Sequence, residues 1–184
     1  MTFCFAAESL AKSAAVMSGV TPLTSPPIFM ANFDPALLAG HDLIYFKLHG
    51  LAGQPYWYGD NAATACSAEQ LGKADIEGAF VFAANCYGGA KAPMVQALLD
   101  AGAVCVATGE GVNYAGQKIA AGADLIGKAW RRMLRAGASA EVALASAQAF
   151  ASFVNPGLLT DIYSFSVVGN RKAVLKNGVT KSKS

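Results

Sequence analysis

The chain has 184 residues, of which 54% are hydrophobic and only 14% are charged, and its formal net charge is +2. This length suits one domain with a sizeable core, and the low charge content favours a sheet covered on both faces. No stretch approaches the roughly 18 uninterrupted apolar residues of a membrane span, and residues 1–8 lack the basic start of a secretory signal. We therefore expect a soluble, cytoplasmic protein that does not bind a membrane.

The cysteines and histidines limit the metal and redox chemistry. Four cysteines stand at positions 4, 66, 86 and 105 without a CxxC pair, and the histidines are His41 and His49. This spacing argues against a zinc site and a disulfide scaffold, so we expect reduced thiols, no metal and no cofactor. The excess positive charge is concentrated near the C-terminus, where we predict a flexible basic tail over residues 176–184 and no nucleic-acid site.

Strand and helix patterns alternate along the chain. We predict strands over residues 3–6, 42–48, 76–84, 103–108 and 163–168, and helices over 8–18, 35–38, 68–71, 94–101, 117–135 and 139–154. Residues 21–27, with three prolines, predict a surface loop, and residues 53–66 are turn-rich. Strands separated by long helices are typical of βαβ units and a mainly parallel sheet. We therefore expect a single α/β domain over residues 1–175.

Two continuous apolar runs end at reactive residues. Residues 43–48 lead into His49 and Gly50, and residues 80–84 lead into Asn85 and Cys86. Continuous runs suit strands buried on both faces of a parallel sheet, and ligands bind at the carboxyl ends of such strands. If the two strands are neighbours, an imidazole and a thiol emerge together, and the imidazole can take the proton of the thiol. The pattern predicts a nucleophilic cysteine beside its base.

The two blocks, one ending in His-Gly and the other in Cys followed by glycines, resemble the caspase-like cysteine peptidases, and among them most closely the bacterial CHAT domain. Residues 67–71 are similar to its short helix, 97–107 to its next helix and strand, and 165–170 to its closing strand. The likeness spans roughly positions 36 to 170 and implies a three-layer αβα sandwich with a mainly parallel central sheet. One departure is Ala84-Asn85-Cys86, where the family usually has Ser-Ala-Cys or Glu-Ala-Cys.

The resemblance also implies a mechanism and a set of site residues. Cys86 would attack a peptide carbonyl, His49 would protonate the leaving amine, and the backbone N–H groups of Gly50 and Cys86 would form the oxyanion hole. Substrate binding would involve Asn85, Glu110, Val112, Asn113 and Tyr114.

The specificity of such an enzyme is open at this stage. The loop after the third strong strand contains no arginine, which disfavours cleavage after aspartate. Glu110, Asp60 or Asp161 could instead pair with a basic substrate residue, although exposed acids are commonly only solvated. The aromatic cluster Tyr56–Tyr58 could form a substrate-side wall or a lid packed on the core.

Three functions remain open from the sequence. The first is a cysteine endopeptidase that cleaves a protein or peptide substrate, with latency until a separate activating or recruiting protein, or processing, orders its loops. The second is a non-catalytic CHAT-like interaction module. The third is a hydrolase that uses the same cysteine and histidine on a small amide or ester. The reactivity of Cys86 separates the first from the second.

Overall fold

The computed structural model describes residues 1–114, 116–117 and 119–176. The strands in this part of the chain are β1 (Thr2–Ala7), β2 (Leu23–Ser25), β3 (Leu43–Lys47), β4 (His49–Gly50), β5 (Tyr56–Tyr58), β6 (Thr64–Ser67), β7 (Phe80–Ala83), β8 (Cys105–Gly109) and β9 (Phe165–Gly169). The α-helices are α1 (Ala11–Ser18), α2 (Ala68–Leu71), α3 (Pro93–Asp100), α4 (Ala123–Arg135), α5 (Ala140–Val154) and α6 (Leu159–Tyr163). Short 3₁₀ helices cover Glu8–Leu10, Pro35–Leu38, Asp60–Ala62 and Pro156–Leu158.

The centre of the molecule is a six-stranded sheet in the order β2-β1-β3-β7-β8-β9. The first five strands in this order are parallel to their neighbours, and only β9 runs antiparallel, against β8. The strands β4, β5 and β6 form a separate small antiparallel sheet. The predicted α/β class with a mainly parallel sheet is confirmed.

The sheet is covered on both faces by apolar side chains. On one face Phe82 of β7 lies 5.7 Å from the ring of Trp130 of α4, in a core that α1 and α5 also line. On the other face Phe46 of β3 lies 4.8 Å from the ring of Trp57, in a core that α2 and α3 also line. Burial of these continuous apolar strands between two helical layers gives the expected three-layer sandwich.

Three segments differ from the sequence-based expectation. Leu23–Ser25, placed in a predicted loop, pairs in parallel with β1 as an edge strand. The turn-rich segment 53–66 contains β5 and β6, and Trp57 is buried against the core, which favours the packed-lid interpretation of the aromatic cluster. The helix expected from residue 117 begins at Ala123, because Gly122 has a non-helical backbone with φ 47°.

Two further expectations concern a membrane-spanning helix and the C-terminal tail. In the described ranges no helix combines the length and hydropathy needed to cross a membrane. The predicted basic tail lies outside the described residues except for Lys176, as does Ala115 of the loop after β8.

Candidate active site

The register of β3 and β7 brings the two reactive positions to one edge of the sheet. The strands are parallel neighbours, and their last registered pair is Phe46 opposite Ala83. The backbone N–H of Ala84 still donates to the carbonyl of Phe46 at 2.9 Å. His49 and Cys86 each stand three residues beyond that pair. The two residues therefore follow adjacent strands at the same carboxyl edge of the sheet.

Gly50 and Cys86 are in direct backbone contact. A Cβ atom placed on Gly50 would lie 2.1 Å from the carbonyl oxygen and 3.5 Å from the backbone nitrogen of Cys86. Real Cβ atoms do not approach backbone atoms that closely, so only glycine fits at this position. The close approach puts the residue after His49 directly against the backbone of the cysteine.

Asn85 provides a second link between the two segments. Its side chain is fully buried, and its Oδ1 accepts a hydrogen bond from the backbone N–H of Leu48 at 3.0 Å. The carbonyl of Asn85 accepts a further bond from the Asn113 side chain at 2.6 Å. Because a buried side-chain bond of this kind fixes backbone positions, Asn85 holds the His49 segment against the Cys86 segment.

Cys86 differs from the other cysteines in its exposure. All four cysteines are free thiols. Cys4, Cys66 and Cys105 are buried, whereas Cys86 is half-buried. Burial raises the pKa of Cys4 and of Cys105 to about 12, and it raises the pKa of Cys66 as well. Those three thiols therefore stay protonated and unreactive at neutral pH, because the thiolate is the nucleophilic form.

His49 is exposed on β4 and faces an acidic side chain. Its Nε2 lies 3.7 Å from Oδ1 of Asp60, and the His49 side chain is 53% exposed. Both oxygens of Asp60 accept hydrogen bonds from Ser9, one from the backbone N–H and one from the hydroxyl, each at 2.6 Å. Partial burial acts to raise the pKa of Asp60, but the Ser9 bonds and the nearby His49 outweigh it and lower that pKa. Asp60 is thus an ionised, fixed partner for the imidazole.

The loop after β8 lies against the thiol. The backbone N–H of Asn113 donates to the Cys86 Sγ at 3.5 Å, and the Asn113 carbonyl lies 4.0 Å from the same sulfur. On the other side of the cysteine, Tyr87 has the left-handed φ of 57° and donates its N–H to the Gly111 carbonyl at 2.5 Å. Gly88 donates to the Gly109 carbonyl at 3.1 Å. The turn after Cys86 and this loop therefore hold each other in place.

A buried ion pair binds two described residues that follow this loop, Gly116 and Ala121. Lys47, the last residue of β3, is 1% exposed and pairs with Asp124 of α4, which is fully buried. Its Nζ also donates to Ser13 and to the Gly116 carbonyl, the latter at 2.8 Å. Asp124 in turn accepts the backbone N–H groups of Gly116 at 2.7 Å and of Ala121 at 3.2 Å. The strand that leads to His49 is therefore tied to the loop beside Cys86.

A cavity of about 340 Å³ adjoins this loop. Glu110, Val112 and Tyr114 line it together with Asp161 and the segment around Leu158. The Asp161 carboxylate accepts the backbone N–H of Tyr114 at 2.7 Å, and burial raises its pKa above the ordinary value. A second cavity of about 510 Å³ is lined by residues 89–93 and 110–111, by Ala52 and Gly53, and by Tyr87. The first cavity is lined by two carboxylates, those of Glu110 and Asp161, and is called the acidic cavity below.

The five residues predicted to bind substrate separate into two groups. Glu110, Val112 and Tyr114 line the acidic cavity, as a substrate-contacting role requires. Asn85 and Asn113 are buried and hydrogen-bond within the protein. A contact role for these two asparagines does not fit that burial, because little of either side chain is accessible to a substrate.

Sequence reasoning missed the buried pair and the partner of the histidine. Lys47 interrupts an apolar run. Because a charge at a buried strand position requires an opposite charge, this lysine indicates a buried acidic partner. The sequence suggests Asp60 only as an acid that could pair with a basic substrate residue, and nothing in it connects Asp60 to His49. In the described part of the chain, no group of three or more histidine, cysteine or acidic side chains is arranged to hold a metal ion.

The fold is similar to solved structures of a bacterial peptidase. The chain matches RgpB of Porphyromonas gingivalis, in the complex of its pro- and mature domains, with a TM-score of 0.68, 10% identity, and coverage of 96% of this chain and 48% of that one. The Arg-specific cysteine proteinase gingipain R matches with a TM-score of 0.59, 12% identity, and coverage of 95% and 47%. The chain spans about half the length of these structures.

At these identities the likeness is one of fold. The architecture is therefore caspase-like, as the sequence resemblance implied. No model of a known protein family matches the sequence, and no curated protein does. The finer resemblance to the CHAT domain stays a prediction.

Proposed function

We propose that the protein is a cysteine endopeptidase in which Cys86 is the nucleophile and His49 is the general acid and base. The backbone contact between Gly50 and Cys86 carries the proposal, because it brings the segment after β3 and the segment after β7 together at the ligand-binding edge of the sheet. The similarity in fold to a cysteine proteinase, gingipain R, supports it.

The chemistry follows the usual course of thiol acylation. The Cys86 thiolate attacks the peptide carbonyl carbon, and the tetrahedral intermediate collapses to a thioester as the amine leaves with a proton from the His49 imidazolium. The neutral imidazole then takes a proton from water, whose oxygen attacks the thioester carbon. Collapse of this second intermediate releases the carboxylic acid and the Cys86 thiolate, and the imidazolium is restored for the next cycle. Asp60, whose Oδ1 lies 3.7 Å from Nε2 of His49, orients the imidazole.

The oxyanion would be bound by the backbone N–H groups of Gly50 and Cys86, as the resemblance implies. Such donors are typically worth about 3 kcal/mol each in the transition state. The close approach of the Gly50 and Cys86 backbones supports this assignment, because it places the two residues that would donate side by side. The next two N–H groups, of Tyr87 and Gly88, are already engaged with loop carbonyls.

A basic substrate residue fits the acidic cavity best. Glu110 and Asp161 contribute two carboxylates to one cavity beside the loop that contacts Cys86. A partly desolvated carboxylate gains from pairing with a guanidinium, which can bind it with two hydrogen bonds. We therefore propose arginine or lysine immediately before the cleaved bond.

Hydrolysis of fluorogenic peptides tests this function. Substrates with arginine, lysine, aspartate or leucine before the leaving group are compared on the wild type and on Cys86→Ala. Cleavage of the basic substrates that is lost in Cys86→Ala supports the proposal. Rapid alkylation of Cys86 without peptide cleavage would favour the small-molecule hydrolase or an enzyme that awaits an activator, and slow alkylation would favour the interaction module.

A further inference from the structure

The outer face of α4 carries an unusual concentration of positive charge. Lys128, Arg131, Arg132 and Arg135 line one groove of about 820 Å³, which Phe150 of α5 and Met133 also line. Lys128 and Arg132, like Arg131 and Arg135, are four positions apart on the helix. Like charges at this spacing destabilise a helix. The helix dipole favours cations only in the last turn, so it does not account for Lys128.

The four cations lack an acidic partner in the described part of the chain. Among the described residues none of them forms an ion pair. Arg131 donates to the Ser18 carbonyl, and Arg135 donates to the Thr2 hydroxyl at 3.1 Å. Glu141 of α5 is paired with Arg171. Two guanidinium groups are therefore held in place by neutral oxygens while their charge remains uncompensated.

An apolar surface borders these charges. Phe150 is 50% exposed where it lines the groove, and Phe153 on the same helix is 87% exposed. Large exposed aromatic side chains next to a charged groove are typical of a protein-binding surface. The surface thus offers a cationic side and an aromatic side.

We propose that the groove over α4 binds an acidic polypeptide segment of another protein, with carboxylates facing Lys128 and Arg132 and an apolar side chain against Phe150. Complementary charge selects the acidic character, and Phe150 selects the apolar residue. The proposal is independent of the reactivity of Cys86, because the groove is built from α4, α5 and the end of α1.

The dimensions favour a peptide over a nucleic acid. Residues 128–135 extend about 10 Å along the helix axis at about 1.5 Å per residue. That length matches about three residues of an extended peptide at about 3.3 Å each. Nucleic-acid binding proteins commonly neutralise about 6–10 phosphates, which a stripe this short cannot reach. The chain's own residues 177–184 add lysines and no acid, so they do not complement the groove.

Fluorescence anisotropy of the full chain with a fluorescein-labelled peptide that repeats Glu-Glu-Leu tests the proposal. We expect binding that a Gln-Gln-Leu peptide does not show, and that weakens by about tenfold or more in Lys128→Ala/Arg132→Ala. Alanine removes a like-charge pair and favours the helix, so this variant should fold. Lys172→Ala/Lys176→Ala, which removes the same charge at exposed sites, should change the affinity less than twofold. Phe150→Ser should also weaken binding.

Four outcomes would overturn the proposal. One is equal binding of the Glu and Gln peptides. Another is an unchanged affinity in Lys128→Ala/Arg132→Ala. Tighter binding of oligo(dT), or of phosphatidylserine vesicles, would assign the groove to a nucleic acid or a membrane. Self-association in analytical ultracentrifugation that Lys128→Ala/Arg132→Ala abolishes would assign it to a second copy of the chain.

Discussion

The Cα atom of Gly50 lies against the backbone of Cys86, so that a Cβ atom at position 50 would come within 2.1 Å of the Cys86 carbonyl oxygen. This contact joins the segment that carries the histidine to the segment that carries the cysteine. The two segments cannot move apart without separating the proposed catalytic pair.

Gly50→Ala should therefore disable the site. The added methyl group must push the two segments apart, and we expect loss of most Cys86 reactivity towards iodoacetamide together with a lower melting temperature. Gly72→Ala is the matched control, because a Cβ there meets its nearest atom at an ordinary 3.4 Å. Wild-type reactivity in Gly50→Ala would show that the contact does not position the cysteine.

Asn85→Ala should weaken the second link between the segments. The change leaves the buried Leu48 N–H without its acceptor, which costs about 1–3 kcal/mol of unfolding free energy. We expect slower Cys86 alkylation in native protein as well as lower stability in urea. The control is Gln96→Ala, at an exposed side chain that donates to the Ala90 carbonyl at 2.6 Å. Equal effects of the two variants would contradict the role given to Asn85.

Asp60→Asn should affect stability in a pH-dependent way. The pKa of Asp60 is lowered in the folded protein below 3.8, so the stabilisation from its ionised form is fully present well above that pH. It is lost as the pH falls through the folded pKa. The melting-temperature difference between wild type and Asp60→Asn should therefore be largest near neutral pH and disappear in strong acid. A difference that grows in acid would contradict the account.

Variants of the buried pair of Lys47 and Asp124 should affect the stability of the fold and the protection of the loop differently. Asp124→Ala leaves a buried lysine charge unpaired, which typically costs about 3–5 kcal/mol. Lys47→Met/Asp124→Leu should recover much of that stability, because it removes both charges. It also removes the acceptor of the Gly116 and Ala121 N–H groups, so limited proteolysis should still cut the loop between Tyr114 and Ala123 faster than in wild type. A protected loop in the double variant would contradict this role.

Asp161→Asn should reduce cleavage after arginine. Asparagine keeps an acceptor for the Tyr114 N–H but removes the charge, and we expect kcat/KM to fall by about tenfold to a hundredfold. In wild type, KM for an arginine substrate should rise as the pH falls through the pKa of Asp161, which burial raises. The variant should lack that rise. A leucine substrate, which needs no carboxylate, is the control.

The central sheet was predictable because its strands are continuous apolar runs between helix patterns. The same runs placed His49 and Cys86 at strand ends. The short strand Leu23–Ser25 was not predictable, since its three residues pair with β1 in a proline-rich context where local propensity indicates a loop. The start of α4 differs from the expected one because the Asp124 carboxylate binds the N–H of Ala121, inside the segment expected to be helical, and the N–H of Gly116 just before it.

The candidate site was predictable only in part for a similar reason. His49 and Cys86 follow recognisable strands, but the residues that contact and position them come from distant parts of the chain. Asp60 reaches His49 across a small antiparallel sheet whose segment has the composition of a loop, and Ser9, which bonds to Asp60, is 51 positions away in the sequence. No local pattern in the sequence encodes such contacts.

The measurement that tests the central claim most directly is the alkylation rate of each cysteine by iodoacetamide between about pH 5 and pH 9, by peptide mapping of the wild type and His49→Ala. The account predicts that Cys86 reacts far faster than Cys4, Cys66 and Cys105 in the wild type. It also predicts that His49→Ala abolishes most of this advantage near neutral pH. A Cys86 whose rate near neutral pH is the same in both proteins would contradict the proposed pairing of the two residues.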